Sequence, residues 1–555
     1  MDSEQNEAGE KIFIFEKSYF SDSDFITRFD HDIKRLRTYI LHSKNREHAK
    51  ATLNAFMKAC FVSISDEATR IHMHLEFYLT LAYYGEIYSS HQTFENILSD
   101  FEKPQHKEKM FGKRPMRSCV VYAEVLLKYY TLKNAESNGW YTSSAFEIIT
   151  KAKYYILKAY TQSLEGKNKF EKSDQSYSLV LISACYMHLS RWFEPIFYLE
   201  KLNTKDLTDP NYDYLTALNL DALKDKSCLD YNGQLLLKII QCGTSVIDNP
   251  SADPRQKEHA KEITQQCSKN ITSAKLSLEK LKKHQEKIVA SKKKRTAYFK
   301  YCIENQLFLN EHSFFCKCGR SIGDTLEIKT SHPHTELPWV AKFERLLDLL
   351  IAEFALARGN LYEATSSGSP KFHFKAENKK KDSLQRKKDA MLKNAFKTCY
   401  SILDQIGHGI FEVLEIDIAS FLKEKSINEG KPIQHLYFLN MWDLYQFSAD
   451  DFKNNLYLIS LFSIAKDLDR NDYAAWKSFK DYRNAMEHKF LIIEEEPESV
   501  YKDLKNVKKI KRTELGLKTS LLIILTKSAI ISFAYLARRQ SKVKEVELKQ
   551  NLTTR

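Results

Sequence analysis

Glycine and proline are scarce in this sequence, which has 15 glycines and 11 prolines among 555 residues. Both residues interrupt helices, because proline lacks a backbone N–H and glycine loses the most conformational freedom on folding. A chain with so few of them favours long helices joined by short connections. The sequence therefore predicts an all-α protein, and its length predicts two or three domains rather than one core.

Apolar residues recur at helical spacing in several long segments. The helix predicted from Tyr177 carries one apolar side, made of Leu179, Ile182, Cys185, Tyr186, Leu189, Trp192 and Phe193. The helix predicted from Trp339 carries another, made of Phe343, Leu346, Leu347, Leu350, Phe354 and Leu361. Further helices are predicted around Leu456–Asp467, Asp472–Phe490 and Leu515–Arg539. These patterns indicate a C-terminal bundle of about four or five helices.

The chain divides by sequence pattern into four segments. We expect a flexible N-terminus at 1–24, a helical domain at 25–281, a connector at 282–338 and a second helical domain at 339–545. The first helical domain resembles a TPR-type array in its small, aromatic and leucine positions. A strict period of about 34 residues is not visible, so an irregular helical domain is the alternative interpretation.

The formal net charge is +13, which suits a polyanionic partner such as RNA. A solvated surface that happens to be basic is the alternative interpretation. The ten cysteines lack the regular spacing of a disulfide framework, which favours a reducing, cytoplasmic compartment. The acidic and polar start, MDSEQNEAGEK, is not typical of a secretory signal.

Two further segments have features of a membrane span and of a metal site. The apolar run Leu521–Ala537 is slightly short for a membrane span and has Lys527 in its middle, so we expect a helix buried in protein and no membrane contact. Cysteine and histidine side chains cluster near Cys316, but their spacing is not that of a zinc finger, so we expect neither metal nor cofactor. The residues concerned are Cys316, Cys318, His312, His332 and His334.

The segment from Asn471 to Ile493 contains Arg483, Asn484 and His488. At 100° per residue on a helix, Asn484 and His488 share one side. Lys477 shares that side, and Lys480 lies between it and an apolar stripe formed by Trp476, Phe479, Met486 and Phe490. These residues are the candidate site.

Arg483 points nearly the same way as Trp476 and so lies at the edge of the apolar stripe. An arginine there is costly unless something pairs with it. We expect that partner to be a substrate phosphate or a partner subunit.

The residue types suit cleavage of RNA. Histidine titrates near pH 7 and can act as general base or acid, and arginine binds phosphate oxygens and offsets the charge that grows on them. Asn484 can orient the imidazole, and Lys477 and Lys480 can follow the RNA backbone. The RNA's own 2′-hydroxyl is the nucleophile, so no protein nucleophile is needed.

The spacing alone is weak evidence, because about two such Arg–His pairs are expected by chance. Arg37 and His42 show the same gap, but Thr38 follows that arginine, and we interpret the pair as ordinary helix surface.

The C-terminal domain resembles the HEPN superfamily, whose nuclease members carry R-x(4–6)-H, often with a polar residue after the arginine. Arg483, Asn484 and His488 match that pattern in order. The resemblance implies a helical bundle, a homodimer that faces two motifs across one cleft, and metal-independent endoribonuclease activity that leaves 2′,3′-cyclic phosphate ends. Such domains often belong to toxin, anti-phage or abortive-infection systems, and some members do not cut RNA.

We therefore expect a toxin or defence ribonuclease that is regulated through its N-terminal helical domain, where a protein trigger or regulator would bind. The first alternative is an inactive HEPN domain that binds RNA or protein. The second is a helical-repeat scaffold whose basic charge serves membrane or nucleic-acid contact.

Overall fold

The computed structural model describes most of the chain, and the statements below concern these residues only. They are 2–5, 11–14, 25–43, 45–61, 66–136, 143–165, 169–203, 210–224, 232–273, 296–316, 321–328, 337–366, 380–429, 436–445, 447, 451–452, 455–469, 473–488, 490–494 and 507–553. The chain forms two compact units, Met1–Cys185 and Tyr186–Arg555, which are described separately.

The first unit begins with a short antiparallel strand pair and continues with helices. The strands are β1 (Asp2–Gln5) and β2 (Lys11–Ile14), with Asp2 opposite Ile14. The helices are α1 (Phe25–His42), α2 (Arg46–Phe61), α3 (Glu67–Ile87), α4 (His91–Glu102), α5 (Pro104–Lys113), α6 (Pro115–Glu136), α7 (Ser143–Glu165) and α8 (Lys169–His188), the last of which contains the division between the units.

The second unit contains the remaining elements. They are α9 (Phe193–Asn203), α10 (Pro210–Lys224), α11 (Asn232–Asp248), α12 (Pro254–Ser273), α13 (Ala297–Glu304), a 3₁₀ turn (Glu311–Phe314), α14 (Pro338–Thr365), α15 (Lys380–Val413), α16 (Ile418–Glu429), α17 (Met441–Tyr445), α18 (Leu456–Leu468), α19 (Ser478–His488), β3 (Phe490–Glu494), β4 (Val507–Lys511) and α20 (Arg512–Thr553). The prediction of an all-α protein is confirmed, with two short strand pairs added to it.

Local sequence explains where several helices begin. The Asp66 carboxylate accepts a hydrogen bond from the backbone N–H of Thr69 and so caps α3. Thr296 caps α13 in the same way, through the N–H of Phe299. Pro338 occupies the first turn of α14, where its missing N–H removes no helical hydrogen bond.

The core of the first unit lies between α1, α2 and α3, and α6 packs along α7 and α3. Inside it, the Glu76 carboxylate binds the guanidinium groups of Arg37 and Arg117. Burial by itself raises the pKa of the Glu76 carboxyl, but these two cations outweigh it and lower the pKa to about 2. Arg37 also donates to Thr80 over 2.9 Å. Our interpretation of Arg37 as ordinary helix surface is therefore wrong, because its charge belongs to a buried ion pair.

Helix α20 is the centre of the second unit, packed against α14, α15 and α18. It has the length and composition of a membrane span, but 89% of its apolar window is buried inside the protein. The predicted apolar side of α14 faces the same core, with Phe343, Leu347, Leu350, Phe354 and Leu361 each at most 3% exposed. Burial against helices therefore accounts for the apolar run that raised the membrane question.

Charged side chains are also buried in the second unit. Arg191, on the turn before α9, is fully buried and binds Glu194 and Asp467, which are 1% and 0% exposed. We call these three residues the sealed arginine cluster. Arg538 of α20 binds both oxygens of Glu311, at 2.7 and 3.1 Å. These pairs satisfy groups that would be costly to bury alone.

The compact units do not follow the expected domain limits. Helices α9 to α12, expected to belong with the N-terminal half, lie in the second unit. The segment expected to be a connector, 282–338, contributes α13 and the buried side chains of Leu307, Leu309 and Phe314 to the core of that unit. The physical reason is that segment 282–338 contains apolar residues as well as basic and polar ones, and burying them stabilises the second unit.

Candidate active site

Helix α19 carries the predicted site and is positioned by α15. Phe479 of α19 is fully buried and packs on Phe396 of α15 with ring centroids 5.7 Å apart. Tyr482 and Ala485 are the other buried residues of α19. The helix is shorter than predicted, since it begins at Ser478 rather than Asp472 and ends at His488, before the strand that contains Phe490.

Arg483 has protein partners, contrary to our expectation of a phosphate or a second subunit. Its Nη2 lies 2.9 Å from Oδ2 of Asp404 on α15, and its Nε lies 3.4 Å from Oε2 of Glu487 on the next turn of α19. Among the described residues, its Nη1 has no hydrogen-bond partner. We call Arg483, Asp404 and Glu487 the open arginine cluster, because each side chain keeps between 19 and 28% of its surface exposed.

Two tyrosine rings complete the surroundings of Arg483. The guanidinium carbon lies 5.2 Å from the ring centre of Tyr400 and 5.8 Å from that of Tyr437. Tyr400 is buried, whereas Tyr437 is 42% exposed. Arginine planes stack favourably on aromatic rings, so these contacts add to the carboxylate pairs in fixing the side chain.

The electrostatics of the cluster follow from partial burial. Burial raises the pKa of Asp404, and Arg483 offsets only part of that effect. Burial also opposes the charge of Arg483, but Asp404 and Glu487 raise its pKa above the ordinary value, so it stays cationic. With all three groups ionised, the cluster carries two negative charges and one positive charge.

His488 lies at the end of α19 and is open to solvent, with 75% of its side chain exposed. Its Nε2 is 3.9 Å from Oε2 of Glu487. Asn484, half-buried, lies one turn before it on the same side of the helix, and its side chain makes no hydrogen bond to the described residues. Arg483 and His488 are about 140° apart around the helix. Within one chain, the arginine therefore faces α15 and the histidine faces solvent.

The two lysines predicted to follow RNA have different environments. Lys477 is exposed on the turn before α19, and Lys480 is half-buried on its first turn. Neither is ion-paired to a described residue. Both therefore keep an uncompensated charge near the candidate site.

Beyond α19 the structure has a parallel strand pair that the sequence analysis did not predict. Phe490 of β3 pairs with Val507 of β4, so β4 begins beside the end of α19. Lys393 of α15 donates to the carbonyl of Leu491 over 2.7 Å and ties β3 to the same helix. The helix predicted at Asp472–Phe490 overlaps this strand at Phe490 only, and the β-branched Ile492 and Ile493 that follow favour a strand.

No group of three metal-binding side chains occurs among the residues that the structure describes. Cys316 and His312 are buried there, whereas Cys318, His332 and His334 lie outside the described residues. Glu487 is next to His488 in sequence, and the fold brings a second acid, Asp404, to the same arginine.

Sequence reasoning missed Asp404, although a signal was present. Asp404 follows Phe396 and Tyr400 at intervals of four residues, on the buried side of α15. An acid in an apolar stripe needs a cationic partner for the same reason that Arg483 needs an anionic one. Each of these two charges on an apolar stripe therefore indicates that a partner of opposite sign exists elsewhere in the fold, without identifying it.

Comparison with known families agrees with the resemblance seen in the sequence. The model of the family described as LA2681-like HEPN matches residues 335–540, which contain α14 to α19, both strands of the second pair and most of α20. Comparison with curated proteins and with solved structures gives no match. The family match therefore identifies residues 335–540 as a HEPN domain.

Proposed function

We propose that the HEPN domain is a metal-independent endoribonuclease. One observation carries the proposal: α19 holds a cationic arginine whose Nη1 is unengaged among the described residues, and it ends in an exposed histidine. A phosphate oxygen would bind Nη1 of Arg483, and the imidazole of His488 would accept or donate the proton. Asn484, beside His488 on the helix, would orient the ring or contact the phosphate.

The reaction we propose uses the 2′-hydroxyl next to the scissile phosphate as nucleophile. Its oxygen attacks phosphorus, its proton passes to the base, and the 5′-oxygen leaves with a proton, so the products carry 2′,3′-cyclic phosphate and 5′-hydroxyl ends. DNA lacks this hydroxyl and should not be cut. The two carboxylates that contact Arg483, those of Asp404 and Glu487, are paired with a cation, which makes them poor ligands for Mg²⁺.

The proposal extends to a homodimer through the HEPN domain. Arg483 and His488 face different sides of α19 in one chain, and a second copy could supply the missing half of each site. Light scattering should give about twice the monomer mass. An active protein that stays monomeric at micromolar concentration would rule out a shared cleft.

The biological role and its regulation are part of the same proposal. We infer a cytoplasmic toxin or anti-phage effector, whose trigger binds the N-terminal helices. In the first unit, α2, α3 and α4 border a groove lined by Arg46, Lys50, Asp100 and Lys103. Lys103 is paired with Asp100 at 2.7 Å, so Arg46 and Lys50 are the cations that would bind an acidic segment of a protein trigger. The TPR-like character of these helices stays a prediction.

The experiment uses the full-length protein with a looped RNA and a matched DNA in excess EDTA, followed by mapping of the ends. Arg483→Ala and His488→Ala should each lower cleavage by about 10²- to 10⁴-fold and abolish growth arrest on expression. The matched control is His42→Ala, since Arg37 and His42 have the same spacing in the first unit. Loss of cleavage in EDTA, or 5′-phosphate ends, would contradict the mechanism.

A second candidate is an inactive HEPN domain that binds RNA or protein. The open arginine cluster favours it, because two carboxylates face one guanidinium and their excess negative charge opposes a phosphate. Wild-type protein that binds RNA but never cuts it, with or without a trigger, would support this candidate.

A further inference from the structure

We propose that Asp404 is a positioning residue of the ribonuclease site, which holds Arg483 so that Nη1 remains the nitrogen available to a phosphate oxygen. This inference rests on the proposed function and assigns a role to a residue that lies on a different helix from the motif. Asp404 would not touch the substrate.

The first argument is the geometry of the contact. A guanidinium group offers N–H donors on Nε, Nη1 and Nη2. Asp404 takes Nη2 at 2.9 Å and Glu487 takes Nε at 3.4 Å. Contacts to two of the three nitrogens restrict the orientation of the planar group, and Nη1 is the nitrogen that has no carboxylate contact among the described residues.

The second argument is that Asp404 is itself fixed. Its Oδ1 accepts a hydrogen bond from the backbone N–H of Phe438 over 3.0 Å, which leaves Oδ2 for Arg483. It projects from α15, which packs against both α19 and α20. Gly407, on the next turn, allows a close approach, because a Cβ there would lie 3.1 Å from the Cα of Phe438. Helix α15 and the backbone at Phe438 therefore fix the position of the Asp404 carboxylate.

The third argument separates Asp404 from Glu487. Glu487 lies on α19 with Arg483, so its contact moves with the helix and cannot orient the arginine relative to the rest of the domain. Its contact is also longer, at 3.4 Å. Asp404 joins the arginine to a second helix, and it has the shorter contact. Positioning relative to the fold therefore depends on Asp404.

The test compares Asp404→Asn with Asp389→Asn in the full-length protein, using a fluorescently quenched single-stranded RNA of mixed sequence. Asp389 is a close match, because it also lies on α15, binds an arginine (Arg512, at 2.8 Å) and has 18% of its side chain exposed against 19% for Asp404. Asparagine at 404 keeps an oxygen for the N–H of Phe438, and it replaces the carboxylate oxygen that faces Arg483 with an NH2 group, which cannot accept from the guanidinium.

We expect Asp404→Asn to lower kcat by about 100-fold with little change in KM and in thermal midpoint, since misplacement of a catalytic group costs rate rather than affinity. Asp389→Asn should cleave at the wild-type rate. Asp404→Glu should recover part of the loss. Adding Asp404→Asn to Arg483→Ala should cause no further loss, because the first residue acts through the second.

Wild-type cleavage by Asp404→Asn, with Arg483→Ala and His488→Ala inactive, would overturn this inference and leave the proposed function intact. An equal loss in Asp389→Asn, or losses that add in the double variant, would also overturn it, because both point to general stability. Wild-type cleavage by Arg483→Ala would instead contradict the proposed function itself.

Discussion

Arg191 and Arg483 are each bound by two carboxylates, and yet the two arginines have opposite access to solvent. Arg191 is fully buried with Glu194 and Asp467, whereas Arg483 keeps 20% of its side chain exposed beside Asp404 and Glu487. In the sealed cluster all three guanidinium nitrogens have partners, and Nη1 reaches both Asp467 and Ser463. In the open cluster Nη1 has none among the described residues.

An arginine bound by two carboxylates is therefore not in itself evidence of a functional site. Burial by itself lowers the pKa of Arg191, but Glu194 and Asp467 outweigh it and raise the pKa well above its ordinary value. That charge therefore persists without water, and it joins the turn before α9 to α18. The open cluster has similar chemistry, but its unengaged nitrogen and exposed surface allow a ligand to bind.

The largest expected difference is in stability. Arg191→Ala leaves two buried carboxylates without a cation and should destabilise the second unit by about 3–5 kcal/mol. Arg483→Ala should cost about 1 kcal/mol or less, because solvent reaches its partners and Asp404 can take up a proton. Denaturant midpoints of the two variants measure this. Equal shifts would break the distinction between sealed and open clusters.

The tyrosines beside the two arginines, Tyr186 and Tyr437, should also differ in how much they contribute to stability. Tyr186 is 1% exposed and lies 4.4 Å from the Arg191 guanidinium, so Tyr186→Ala should destabilise the protein by about 3 kcal/mol. Tyr437 is 42% exposed, so Tyr437→Ala should leave the midpoint within about 1 kcal/mol of wild type.

For RNA binding we expect the exposed tyrosine, Tyr437, to matter more than the buried one, Tyr186. An exposed ring beside the scissile phosphate can stack on an unpaired base, so Tyr437→Ala should raise KM for single-stranded RNA by an amount equivalent to about 1 kcal/mol. Tyr473→Ala is the control, because Tyr473 is 38% exposed on the turn before α19. Equal KM values for both variants would show that Tyr437 does not contact the substrate.

The smallest expected effect at alkaline pH concerns Lys527, which is fully buried in the second unit. Burial lowers its pKa well below the ordinary value, and Asp324 offsets only part of this. Between the folded and unfolded pKa values the unfolded chain binds more protons, so this lysine makes stability rise with pH.

Lys527→Met conserves volume and should change stability by about 1.5 kcal/mol or less at about pH 11, where the lysine of the unfolded chain is also largely neutral. At pH 7 the unfolded chain gains a proton that the folded chain does not bind, so the methionine variant should be relatively more stable there. Its main effect should be a flatter dependence of the denaturation midpoint between pH 7 and 10. The difference between the wild-type and variant slopes isolates this group. Parallel slopes would mean that the lysine titrates as in the unfolded chain.

Much of the fold could be predicted from the sequence. The scarcity of helix breakers indicated helices, and apolar spacing placed Phe343, Phe354 and Leu361 on the buried side of α14. The order Arg483, Asn484, His488 indicated a HEPN domain, and the family match contains that motif. Spacing of this kind is local, because a helix repeats every 3.6 residues and places neighbours in sequence beside each other in space.

Only the tertiary structure decided what surrounds the motif. Asp404 and Arg483 lie on separate helices, and nothing in the spacing within either helix says that the two will touch. The parallel pairing of β3 with β4 and the burial of Lys527 inside the bundle are decided in the same way, by which segments pack together. An unmatched charge on an apolar stripe states in the sequence that a partner must exist, because burying it alone costs too much. Which residue becomes that partner depends on packing between helices, which sequence periodicity does not encode.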